Sequence, residues 1–409
     1  MAKRHLLILG LFLAGSVLAS ACSDTKVAPL GDAGATGEGG EGGEAAYEFP
    51  PSLNPQGAVV IGPAPATSTQ LLVGASDFSS KRGEVVSITL GTGAVGDSET
   101  YEDGDVVATS SAGVGFAIER TNDKVHLLDS GKISTTFDLK DLGTDNAPVD
   151  SKAYVPLYNQ SLIAILDLSE GKVSRRIDLS QYNAAGDSDH SADIAEGVYD
   201  PNSKIAYFLL QRIDTKSYDA SLHLPCSKSP GLIVGIDTET DSIVDVNGAA
   251  EGKAIELKLV NPRSLSVNAD GTTLYLLADG CYEGDEKLHQ GVEVVDLSDG
   301  SSSVVYEATG TDYLSSMILT GGADALIESL DSSYATHWNK LEIGGTLGAE
   351  LANVPSAPSF DGKDLIGVEV TGSTGAVVRY DLAKETSKVI SPTSWAGDYS
   401  FAGSTALVQ

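Results

Sequence analysis

From about residue 57 onward, the hydrophobic positions fall in short runs rather than at helical spacing. Segments rich in Val, Ile, Leu and Tyr alternate with clusters of Gly, Asp, Asn and Ser, the pattern of strands joined by turns. Some runs, Leu162–Leu166 and Ala206–Leu210 among them, are apolar at every position. A strand covered on both faces reads that way. The first part of the chain is different. Lys3 and Arg4 precede 14 uncharged residues, Leu6–Ala19, and residues 23–56 have no apolar periodicity. The pattern divides the chain into 1–21, 22–56 and 57–409.

Within 57–409 one unit recurs: a strand ending in Asp, a tight polar turn, and a second strand containing Val or Ile. It is clearest at Leu166–Val173, Ile236–Asp241, Val295–Gly300 and Tyr380–Thr386, weaker at Leu128–Lys132, and degenerate near Ile88–Gly91 and Leu341–Gly344. The Asp carboxylate can accept from backbone N–H groups two residues on, which closes the hairpin. With residues 89, 129, 167, 237, 296, 342 and 381 as equivalents, the spacings are 40, 38, 70, 59, 46 and 39. A period near 40 with insertions is the length of a four-stranded propeller blade. A second piece lies upstream of these turns. Pro262–Leu277 reads as an inner strand, a turn and a second strand, with relatives at Glu196–Tyr207 and Ala153–Asn159.

Together the two pieces resemble the YVTN-type β-propeller repeat proteins, whose units run roughly Tyr-Val-Thr-Asn, a gap, Val-Ile-Asp, a polar turn and Val. The resemblance covers 57–409, is strongest in 150–300, and is specific for fold rather than activity. We therefore expect an all-β, seven-bladed β-propeller. The segment through Tyr399–Phe401 and Ala406–Val408 should join the first blade beside Leu71–Gly74 and close the ring. Eight blades, or an extra N-terminal strand at Ala58–Ile61, is the alternative. No linker interrupts 57–409, which argues against separate β-sandwich domains.

The uncharged run is too short to span a bilayer as a helix but suits the apolar region of a signal peptide. It ends in Leu18-Ala19-Ser20-Ala21-Cys22. This is similar to the lipobox of bacterial lipoproteins, in which the Cys is lipidated after cleavage, although Ala19 stands where that family prefers Leu. Plain secretory cleavage after Ala21 is the alternative. The family keeps proteins with Asp directly after the Cys at the inner membrane. Here Ser23 comes first and Asp24 second, which implies the outer membrane, facing the periplasm or the exterior. Residues 22–56, with Gly31–Glu44 nearly all Gly, Glu, Ala, Asp and Thr, read as a flexible acidic tether. Such a chain would hold the body roughly 30 Å from its anchor.

The charge of -31 opposes binding to nucleic acid or to anionic lipid surfaces, so membrane attachment would be through the lipid alone, and self-repulsion favours a monomer. Two intrablade loops, 212–230 and 279–290, are longer than the repeat needs, and each carries one cysteine. Adjacent blades bring such loops together, and export supplies an oxidising compartment, so a Cys226–Cys281 disulfide is expected. Metal binding through two thiols is the rival. His190, His223 and His289 lie on the same loop face with Asp187 and Asp189, and Tyr158 and Asn159 occupy an equivalent loop. These are the candidate ligand-binding residues. Carboxylates and imidazoles together suit a divalent ion such as calcium, yet no ligand spacing matches a known pattern, so no cofactor is assigned and the metal stays open. Asp77, Phe78, Thr121 and Asn122 are further loop candidates, while Trp338 and Trp395 read as packing residues.

No Gly-x-Ser-x-Gly elbow, His-Glu-x-x-His or Cys-x-x-Cys-His motif is present, and no catalytic residue can be assigned. The first functional reading is a binding or scaffolding module for a protein, peptide or glycan. The second is a lactonase-like propeller hydrolase or lyase with calcium in its central channel.

Overall fold

The computed structural model describes residues 52–409 except 63–66, 79, 142, 144–148, 186–187, 219–222, 227–228, 249–252, 322–323, 334, 372–373 and 392–400. Seven antiparallel sheets, each built on four strands, form the blades of a β-propeller. The first strands of neighbouring sheets abut one another around a central channel. Blade 4, for example, runs outward from Ile194–Asp200 through Ile205–Leu210 and Leu232–Asp237 to Ser242–Val244.

The continuous apolar runs are explained by what lies on either side of each sheet. Among the described residues there are seven hydrophobic cores, one between each pair of neighbouring blades. In the run Leu162–Leu166, Ala164 and Leu166 pack toward blade 2, whereas Ile163 and Ile165 pack toward blade 4. In Ala206–Leu210, Ala206, Phe208 and Leu210 face blade 3 while Tyr207 and Leu209 face blade 5. Side chains alternate between two interfaces that are both dry. Trp338 is buried in the core between blades 6 and 7, and Trp395 lies outside the described residues.

The repeated Asp closes its turn as the sequence implied. Asp167 accepts from the Ser169 and Glu170 N–H groups at 2.9 Å each, and Asp237 from Glu239 and Thr240 at 2.9 and 2.8 Å. Asp296 accepts from Ser298 at 2.8 Å, and Asp381 from Ala383 and Lys384 at 3.1 and 3.0 Å. Each turn joins the third strand of a blade to its outermost strand.

Two segments distant in sequence complete blades 1 and 3. Phe401–Val408 forms the inner strand of blade 1, with Leu71 opposite Leu407 and Gly74 opposite Ser404. Glycine at 74 is required there. A Cβ would come within 2.4 Å of the Ser404 hydroxyl, which accepts from the Ala108 N–H of blade 2 at 2.8 Å. The extra N-terminal strand also exists, but it adds no eighth blade. Val59–Val60 takes the inner position of blade 3 and pairs with Tyr154 and Ala153. The repeat relative at Ala153–Asn159 is accordingly a second strand, because its inner neighbour comes from elsewhere in the chain.

The chain is already packed at Leu53, whose side chain is fully buried. Asp123, in the loop between the second and third strands of blade 2, accepts from the Leu53 N–H at 2.6 Å and the Ser52 hydroxyl at 3.1 Å. Blades 3 and 4 are joined at the opposite face by the buried Asp241, which receives Lys152 Nζ at 2.6 Å together with the Tyr154 hydroxyl and Arg175. Burial alone would raise the Asp241 carboxyl, but these three donors hold it below the usual carboxylate range.

The Asp123 contacts lead to a prediction. Asp123→Ala strands the buried Leu53 N–H and should cost about 1–3 kcal/mol. Limited proteolysis should then cut within residues 52–62 faster than in the wild type. Equal cutting rates would mean that the segment is held by its pairing to blade 3 alone.

Candidate functional site

The channel is a cavity of about 760 Å³ lined by the inner strands of blades 2 to 6. At one end, the loops between second and third strands and those between blades surround its mouth. The long loops 211–231 and 279–290 belong to this face. Cys226 and Cys281 are disulfide-bonded across them, with Cα atoms 4.7 Å apart. The bridge ties the first loop to a small hairpin, Cys281–Glu283 with Glu286–Leu288. Its setting is reinforced by Tyr282, which donates its N–H to Leu224 O at 2.8 Å and stacks its ring on His223 at 3.9 Å.

Residues from four blades converge at the mouth. Tyr158 of blade 3 donates its hydroxyl to Gln211 Oε1 at 2.6 Å, and Gln211 of blade 4 donates its amide to Pro262 O at 2.9 Å. That chain of bonds fixes the start of the blade 5 inner strand, where Arg263 follows. The Arg263 guanidinium lies over the ring of Tyr313, from blade 6, at 4.6 Å. Beside it Asp279 accepts from Lys287 Nζ at 2.6 Å and the Leu314 N–H at 2.9 Å. Burial would depress the Arg263 pKa, but Tyr313, Asp279, Tyr218 and Tyr158 around it raise it, and the group is cationic.

Glu196, on the blade 4 inner strand, is the acidic counterpart. Its carboxyl accepts from the Leu265 N–H at 3.0 Å, and burial pushes its pKa up to about 8 against that bond. It is half-buried, with part of its surface on the lumen. At neutral pH it is mostly a neutral carboxylic acid, able to donate a hydrogen bond.

Of the candidates read from the sequence, Tyr158 alone enters this arrangement. Asn159 is exposed and donates to Ser52 O at 3.0 Å. Asp189 is used internally, accepting from the Thr215 and Ser191 N–H groups at 2.7 and 3.1 Å. His190 and His289 are exposed residues at left-handed turns, with φ of 60° and 57°, and His223 is occupied by Tyr282. Asp187 and Cys22 lie outside the described residues. Among the described residues, no three His, Cys, Asp or Glu side chains assemble into a group able to hold a metal ion. Thr121 and Asn122 donate their N–H groups to Asp103 at 3.0 Å each, so they serve the turn, and Phe78 is half-exposed. Sequence reasoning missed Glu196, Gln211, Arg263 and Tyr313. A signal was available for two of them. Glu196 and Arg263 are charged residues at the start of segments that otherwise read as inner strands.

No protein-family model matches the sequence, and no curated protein matches it. Among solved structures, it is similar to a putative 6-phosphogluconolactonase from Bacteroides uniformis at 15% identity, covering 79% of this chain and 95% of that one, with a TM-score of 0.51. A functionally unknown protein from Desulfotomaculum acetoxidans aligns at 10% identity over 83% of this chain and 99% of that one, TM-score 0.50. The Cps50 (Swd1) β-propeller domain from Myceliophteria thermophila aligns at 13% identity over 81% and 97%, TM-score 0.47. The first two likenesses speak for the architecture alone. The protein is a seven-bladed β-propeller.

Two predictions follow from the mouth. The disulfide closes a loop with a sequence separation of 55. Replacing both cysteines by serine should lower stability by up to about 4 kcal/mol in the chain-entropy treatment, read as a lower melting temperature. A melting temperature indifferent to the double substitution would mean that the loops are held by their other contacts. The second prediction concerns Glu196, whose folded pKa lies above its ordinary value of 4.5. The folded chain therefore keeps a proton that the unfolded chain releases, and its stabilising effect, complete below pH 4.5, is lost as pH rises through 8. Glu196→Gln should melt close to the wild type at pH 5 and clearly above it at pH 9. Parallel melting curves at the two pH values would contradict the assignment.

Proposed function

We propose that this chain is an exported, lipid-anchored propeller of the cell envelope that acts as a binding module, with its ligand site at the mouth of the central channel. The observation that carries this reading is the convergence of Tyr158, Gln211, Arg263 and Tyr313, from four different blades, on an open cavity of ligand size. A rigid scaffold presenting preformed polar and aromatic groups suits recognition of a protein, peptide or glycan at this face. Cys22 at the end of the apolar leader supports the anchor, and the buried cystine is in keeping with an oxidising compartment.

The donor set does not favour a metal-dependent hydrolase. Among the described residues, two carboxylates line the channel, Glu196 and Asp200. Glu196 is held neutral, which makes it a poor ligand for calcium. Asp200 closes its own turn, accepting from the Asn202 and Ser203 N–H groups at 3.0 Å each.

Metal analysis of the purified chain, paired with melting curves with and without a chelator, tests the choice. The binding reading expects no stoichiometric metal and an unmoved transition. A bound divalent ion whose removal lowers the melting temperature would overturn it in favour of the hydrolase.

A further inference from the structure

Arg263 differs from the other channel-lining groups in how little of its bonding capacity the protein uses. A guanidinium carries five N–H donors. Among the described residues, Arg263 makes no hydrogen bond and no ion pair, and its Nε is buried without a partner. The adjacent carboxylate, Asp279, attracts the cation through its charge but gives its hydrogen bonds to Lys287 and the Leu314 N–H. The Gln211 amide is spent on Tyr158 and Pro262. The ring of Tyr313 covers one face of the guanidinium, which attracts the cation but satisfies none of its N–H groups. The half-buried guanidinium lines the lumen with its N–H donors unused, whereas Arg120, the other arginine of the lining, has Asp105 at 3.8 Å.

We infer that Arg263 is the anchor of a carboxylate-binding subsite, and that the ligand of the channel is a small organic acid or the acidic end of a larger one. The inference rests on the channel mouth being the ligand site, as proposed above, and adds the chemical class. A planar carboxylate matches the guanidinium fork with two parallel N–H···O bonds. One unpaired cation suits one negative charge better than the two of a phosphate monoester. On the neighbouring inner strand Glu196, as a carboxylic acid, offers a donor instead of a repelling charge, and the Ser264 hydroxyl, which accepts from the Met317 N–H at 3.1 Å, keeps its own proton to donate. The cavity of about 760 Å³ leaves room for a body beyond the carboxylate itself.

The test uses the full chain and four probes: acetate, benzoate, glucuronate and, as the neutral control, glucose. Calorimetric titration should detect at least one carboxylate and no glucose, and Arg263→Gln should weaken that binding by about 30-fold or more. Arg263→Lys, which keeps the charge but loses the fork, should fall between the two. Arg263→Met without ligand should melt close to the wild type, because the guanidinium makes no hydrogen bond or ion pair whose loss would loosen the fold. A structural role for Arg263 would lower the melting temperature. Failure of all three acids to bind, or binding that Arg263→Gln leaves intact, overturns the inference. Glucose binding in its place, blocked by bulky substitution of Ser264, would keep the channel as the ligand site while removing the acid.

Discussion

A radial array of sheets is stable only when its first and last members meet, because any gap leaves one dry blade face and one row of unpaired backbone groups open to water. Every blade here depends on that condition, since each buries both of its faces against neighbours. The protein meets it twice. Phe401–Val408 gives blade 1 its inner strand, and Val59–Val60 does the same for blade 3. Asp123 and Gly74 look like local details, but both serve these closures. One holds the entering chain at Leu53 and the other makes room for Ser404.

The parts of the fold legible in the sequence are those whose physics is local. The Asp turns at 167, 237, 296 and 381 could be read because the side chain bonds to its own backbone two or three residues on. Apolar runs without alternation told of burial on two faces, and the terminal segment could be matched to Leu71–Gly74 because strand-like residues with no following turn suit the closing of a ring. The placement of Val59–Val60 was not legible. Its pairing with Tyr154 depends on which blade is short of a strand, and only the assembled ring decides that.

The candidate site divides along the same line. The loops carrying Cys226 and Cys281 could be paired because adjacent blades bring their insertions together. The histidines stand apart from this arrangement, and residue type alone does not carry the backbone conformation that places them. At His190 and His289 the chain turns through left-handed φ values with the rings left outside, and Asp189 is consumed in bracing the loop. Arg263 and Glu196 meet Tyr158 and Tyr313 only after four blades have been folded inward, and no spacing along the chain encodes that meeting. Two buried charges also show opposite economies. Asp241 is surrounded by three donors and holds two blades together, while Arg263 is left with its donors unspent.

The position of the closing strand has a consequence for how the protein is made. Its partner in blade 1 lies near the start of the folded body, yet the strand itself follows all the other blades in the chain. Until it arrives, blade 1 has an open edge and the ring has no final contact, so the native state lies beyond the reach of a growing chain. A chain cut short of Ala402 would leave blade 1 as an open ring edge exposed to proteases.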